Sequence, residues 1–141
     1  LPQNAMPTTE KLTPPSAPGE WTLEQVRTAL SRPLPPSLIS TRKQGGATLE
    51  YIPWHTANKI LDKYAPGWTW EICQMGMSGE RIFLIGRLTI PTAEGNHYRE
   101  ATGTERLDCG SYGDPSSNTE SMAFRRAAAR FGLGLYLYDK S

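Results

Sequence analysis

At 141 residues with 38% hydrophobic content, the chain suffices for one domain with a real core and leaves little for a second. A formal net charge of +1 excludes a polycationic coat for nucleic acid, so any anion site must come from local clustering of charge. Two cysteines, Cys73 and Cys109, with His55 and His97 as the only histidines, exclude a disulfide framework, present no zinc-ligand spacing and point to a reducing interior.

Residues 1–20 hold five prolines among small polar residues and bury too little apolar surface to offset chain entropy, which predicts a disordered arm. This stretch lacks the charged-then-apolar layout of a signal peptide, and no apolar run approaches the roughly 18 residues of a membrane span, so a soluble chain is expected. Folding is read from residue 21 to 141. In "WTLEQVRTALSRP" Thr22 and Gln25 make a capping box, Leu23, Val26 and Leu30 form one helical stripe, and Pro33 ends the helix. A Gly45-Gly46 turn then precedes a short strand around Leu49 and Tyr51.

A second helix is predicted in "PWHTANKILDKYAPG", with Pro53 at its first position and Trp54, Ala57, Ile60, Leu61 and Tyr64 on one side. Three strands follow. "WTWEICQM" alternates Trp68, Trp70 and Ile72 against Thr69, Glu71 and Cys73, and "RIFLIGRLTIP" repeats the pattern with Ile82, Leu84, Leu88 and Ile90. Ser78-Gly79 is the predicted turn between them, and Glu94-Gly95-Asn96 leads into "HYREATGTERL", a strand polar enough that one face must meet water or a ligand. The order of elements is that of an α+β domain with an antiparallel meander.

The last element, "ESMAFRRAAARFGLGLYLYD", is predicted as a helix from Asn118 to Phe131, capped by Ser117 with Glu120 and closed by Gly132. Spacing residues about 100° apart puts Phe124, Ala127, Ala128 and Phe131 in one sector and Arg125, Arg126 and Arg130 opposite, with Ala129 and Met122. On geometry alone a solvated cationic face is the simpler reading. Two details favour a binding face: no acidic residue stands four positions from Arg125 or Arg126, and the small alanines beside them let a rigid ligand backbone approach.

Taken in order, "LISTRKQGGATLEYIPWHTANKILDKYAPGWTWEI", a hairpin, "HYREATGTE" and the arginine helix resemble the N-terminal domain of the Rad52 family of single-strand annealing proteins, over roughly residues 22 to 140. The bacterial and phage branches are the expected kin. The resemblance implies a β-β-β-α core that assembles into a closed homo-oligomeric ring and holds single-stranded DNA in an outer groove. It also implies strand annealing in recombination and double-strand break repair, with no enzymatic activity, no metal and no other cofactor. A recombinase or a single-strand-binding protein would be a cooperating partner, and the location a bacterial or phage-infected cytoplasm. By motif, Arg42 matches the family's groove arginine, Tyr51 the tyrosine before the helix, and Arg125 with Arg126 the basic pair of the groove helix. Arg130 takes the place of a further basic position, which the family has where this chain has Ala129. The lysines of a secondary duplex-binding site are not recognisable.

Such a groove should grip phosphates with guanidinium forks and leave base edges outward for pairing. A ring of identical protomers multiplies a few phosphate contacts along one strand. Lys43, beside Arg42 in the turn, is a further candidate phosphate contact. Trp54, Trp68 and Trp70 are assigned to the core and His55 to a structural role. "GLGLYLYD" follows its helix instead of preceding it and is no phosphate loop. Glu100 and Glu105 fall on opposite faces of a strand, unsuited to paired-carboxylate hydrolysis. Two alternatives stay open: DNA-end protection without annealing, and a metal-dependent nuclease using Asp108, Asp114 and Glu105. The chain's start at Leu1 and its stop directly after a structured segment suggest a fragment of a longer parent.

Overall fold

A computed structural model describes residues 13–110 and 113–139. Thr22 Oγ1 accepts from the Gln25 backbone N–H while the Gln25 side chain accepts from Thr22 N, the expected capping box, and α1 runs Leu23–Leu30 with Val26, Ala29 and Leu30 buried. Of the predicted arm, residues 1–12 lie outside the described residues. Ser16–Glu20 make a turn in which the Ser16 hydroxyl donates to Glu20 at 2.6 Å, and Pro18 lies against Gly67.

The single strand read around Leu49 and Tyr51 is corrected to a hairpin, β1 (Ser40–Gln44) with β2 (Ala47–Tyr51), paired antiparallel across Gly45-Gly46. Its first strand escapes a pattern-based reading because Ser40-Thr41-Arg42-Lys43 has no apolar alternation. Arg42 therefore stands in a strand opposite Leu49 and not in a turn. Next comes α2 (Trp54–Tyr64), with Pro53 at its N-cap and Ala57 and Leu61 buried. Trp54 is not a core residue: it is 51% exposed.

β3 (Thr69–Ser78), β4 (Arg81–Thr92) and β5 (Gly95–Arg106) form the expected antiparallel sheet in sequence order. The turns are shifted from the predicted positions, because Ser78 pairs with Arg81 and Thr92 with Gly95, leaving Gly79-Glu80 and Ala93-Glu94 as the two-residue loops. Along β4 the side chains of Leu84, Leu88 and Ile90 are buried as read. Along β3 the alternation fails after Trp70: the register shifts between Ile72 and Gln74, and Ile72 is exposed.

The last helix, α3 (Pro115–Arg130), begins three residues earlier than predicted. Its N-cap is Asp114, whose Oδ1 accepts from Ser116 N, with Pro115 at the first position; Ser117 lies inside the helix. Gly132 follows the helix end as expected. Helix α3 lies across β4 and β5, and Phe124, Ala127, Ala128 and Phe131 enter one core with Val26, Leu30, Leu61, Leu88 and Ile90. The approach to β5 is close: a Cβ added at Gly103 would run into the Thr119 carbonyl. The domain is α+β, with the meander and α3 at its centre. Among the described residues no helix is long and apolar enough to cross a membrane.

Candidate nucleic-acid interface

The hairpin, the start of α2, the C-terminal half of α3 and the chain after it enclose a cleft of about 360 Å³. Arg42 enters from the middle of β1, Tyr51 from the end of β2, and Arg125 and Arg126 from α3. Three arginines thus share one concavity.

Each basic side chain is held by a different device. The Arg125 guanidinium lies 5.1 Å from the centre of the Tyr51 ring, a cation–π contact that aims a half-buried side chain. Arg126 Nη1 donates to the Thr102 carbonyl of β5 at 3.2 Å, which fixes the guanidinium against the sheet with further N–H groups to offer. Burial pushes the pKa of Arg125 below the ordinary arginine value. The nearby positive charges of Arg42 and Arg126 push the same way, opposed by Tyr138 and Tyr51. A half-buried cation beside two others gains most from an anion, because the anion offsets both its lost hydration and the mutual repulsion.

The structure brings Arg42, Tyr51, Arg125 and Arg126, the residues implied by the resemblance, to one cleft. It leaves Lys43 and Arg130 out of the cleft lining. Lys43 follows Arg42 on β1 and so projects to the other side of the hairpin, exposed. Arg130 is exposed in the last turn of α3, where a cation also suits the negative end of the helix dipole.

Residues 22–141 match the family described as Rad52/22 family double-strand break repair protein. The chain belongs to the Rad52/22 family. Membership places it among DNA double-strand break repair proteins, in accord with the resemblance read from the sequence. Over 120 residues it is 41% identical to "DNA repair RAD52-like protein 1, mitochondrial" of Arabidopsis thaliana, covering 84% of this chain and 68% of that protein. Over 115 residues it is 38% identical to "DNA repair RAD52-like protein 2, chloroplastic" of the same plant, covering 79% of this chain and 58% of that protein. These Rad52-like relatives are plant proteins and lend no support to the expected bacterial or phage branch.

Two parts of the cleft escape the sequence reading. Tyr138, Leu137 and Leu133 line it, from the "GLGLYLYD" segment. Gly134, at φ 71° and so close to Ile52 that a Cβ would collide with that side chain, turns the segment back under the cleft; the paired glycines after a helix were the available signal. The nuclease residues find no common site. Asp114 caps α3, Glu105 accepts from Asn118 Nδ2, and among the described residues no three His, Cys, Asp or Glu side chains group to hold a metal ion.

Proposed function

We propose that this domain, residues 21–141, binds single-stranded DNA by its phosphates in the Arg42–Arg125–Arg126 cleft and anneals complementary strands during double-strand break repair. The observation that carries the reading is the convergence of three arginines from two separate elements on one cleft, with Arg125 half-buried among them. Guanidinium forks suit phosphate oxygens, which every nucleotide carries, so binding by them is indifferent to sequence. Annealing fits that geometry, since a strand held by its backbone keeps its pairing edges outward.

Assembly into a homo-oligomeric ring is part of the same reading. Edge strand β3 carries exposed Ile72, Met75 and Met77, and an open apolar edge invites pairing with a second copy. Repeated copies would align their clefts along one strand and multiply weak phosphate contacts. The family's repair role needs no hydrolytic step from this chain, and DNA, copies of itself and a recombinase or single-strand-binding protein are its partners in this reading. The names of the two plant relatives favour a DNA-containing organelle as the place of action.

The test is the double variant Arg125→Ala, Arg126→Ala. Alanine preserves helix propensity, so the fold should survive while binding of labelled oligonucleotides falls for every base sequence alike. The slope of log affinity against log salt should flatten by about 0.7 for each phosphate that the variant no longer grips. A folded double variant with unchanged affinity and slope would return these arginines to the status of a solvated face.

A further inference from the structure

A second cleft, of about 370 Å³, lies on the same two helices as the arginine cleft and has opposite chemistry. Trp54, Asn58, Trp68, Trp70, Glu120 and Ser121 line it. Trp68 and Trp70 are fixed: their indole N–H groups donate to Asp62 at 2.8 Å and Glu120 at 3.0 Å, and their rings stand 5.7 and 5.2 Å from that of Phe124. Trp54 is different. It begins α2 with half its surface in water and its indole in edge contact with the neighbouring His55 ring. An exposed tryptophan at a helix start adds little to the core, so its place at the mouth of a cleft asks for a ligand.

The two clefts adjoin. On α2, Trp54 lines this one and Ala57, one turn on, lines the other; on α3, Ser121 lines this one and Arg125, one turn on, lines the other. A strand gripped at Arg125 and running along the two helices toward Ser121 would meet Trp54 next. The Glu120 carboxylate repels phosphate from the aromatic cleft, while a nucleobase is flat and uncharged. Asn58 and Ser121 add hydrogen-bonding groups at the rim.

We propose that Trp54 is a stacking platform for one nucleobase of the strand held in the arginine cleft, a site that divides the ligand into phosphate on one side and base on the other. It rests on the proposed single-strand binding. Stacking engages the face of a base and leaves its pairing edge open, so the platform is compatible with annealing. A second copy of the chain is the competing occupant, and it would need no relation to the arginines.

The experiment compares wild type, Trp54→Ala and Trp54→Phe on two labelled probes, an oligothymidylate and an abasic phosphodiester of the same length, with the Arg125→Ala, Arg126→Ala protein alongside. Removing one base–aromatic stack should weaken Trp54→Ala on oligothymidylate by roughly 5- to 150-fold. The abasic probe should bind both proteins equally, Trp54→Phe should keep most of the affinity, and the salt slope should not change. Unchanged affinity of Trp54→Ala for oligothymidylate, or an equal loss on both probes, overturns the platform. So does normal DNA binding with an altered sedimentation coefficient, which assigns the cleft to contacts between copies. Loss of binding in the arginine variant with none in Trp54→Ala sinks the platform alone; full binding in the arginine variant sinks the parent reading, and the platform with it.

Discussion

The β1–β2 hairpin and the β3–β5 meander are both antiparallel, yet they distribute their side chains in opposite ways. In the meander, Leu84, Leu88 and Ile90 of β4 go fully into the core, and Ala101 and Gly103 of β5 are trimmed to let α3 sit on the sheet. In the hairpin the described side chains from Thr41 to Glu50 are exposed, and only the ends, Ser40 and Tyr51, are partly covered. The meander is held by what it buries. The hairpin is held by its ladder, its glycine turn and the Tyr51 end beside Arg125, so it can present charge without disturbing a core. Stability and the proposed ligand binding thus fall to different strands, and substitutions in each should affect one property and spare the other.

The largest effect is expected where α3 meets the core. Phe131 is fully buried, with the Arg99 guanidinium 5.0 Å from its ring, and Phe131→Ala should cost about 3–5 kcal/mol in chemical denaturation. The matching truncation in the hairpin, Leu49→Ala, removes a side chain 39% exposed and should stay within about 0.5 kcal/mol. A hairpin variant as costly as the core variant would break the comparison.

A smaller and opposite effect is expected at Tyr51. Truncation to alanine removes the ring beneath Arg125, and a cation–π contact is worth about 0.5–2 kcal/mol, so DNA affinity should fall by roughly 2- to 30-fold with the melting temperature nearly unchanged. Tyr51→Phe keeps the ring face and should bind close to wild type. Equal losses in the two variants would transfer the role of Tyr51 from its ring to its hydroxyl.

How far the sequence discloses this arrangement follows the same division. Strands and helices that bury a face leave a period in the sequence, so α1, α2, the meander and the arginine helix are all legible, with Phe124, Ala127, Ala128 and Phe131 on the correct side. β1 leaves no period because it buries almost nothing. Its residues enter the candidate site only through the family resemblance, which supplied Arg42. Trp54 shows the reverse error: a tryptophan on the apolar side of a helix reads as core, and nothing local reports that half of this one stays in water. Turn positions shift because several small polar residues compete at each corner, and the strand register that decides between them is a tertiary property.

The smallest predicted effect belongs to a corner of the meander and sharpens the comparison by its pH dependence. Glu94, in the β4–β5 turn, accepts from the Leu23 backbone N–H at 2.9 Å, satisfying one of the donors left unpaired at the start of α1. That hydrogen bond, with a second from the Thr92 hydroxyl, holds the Glu94 carboxyl below the ordinary glutamate range against an opposing desolvation. A carboxyl whose pKa is lower folded than unfolded stabilises the fold above its unfolded pKa, and this contribution is lost as pH falls through the folded value. Glu94→Gln should therefore melt below wild type at pH 7, and the gap should close on acidification through about pH 4 and below, where both side chains are uncharged. Because Glu94 is outside the arginine cleft, DNA affinity at neutral pH should not change. A gap in melting temperature that stays constant from pH 7 to pH 3 would show that the Glu94 side chain acts through its shape and not through its charge.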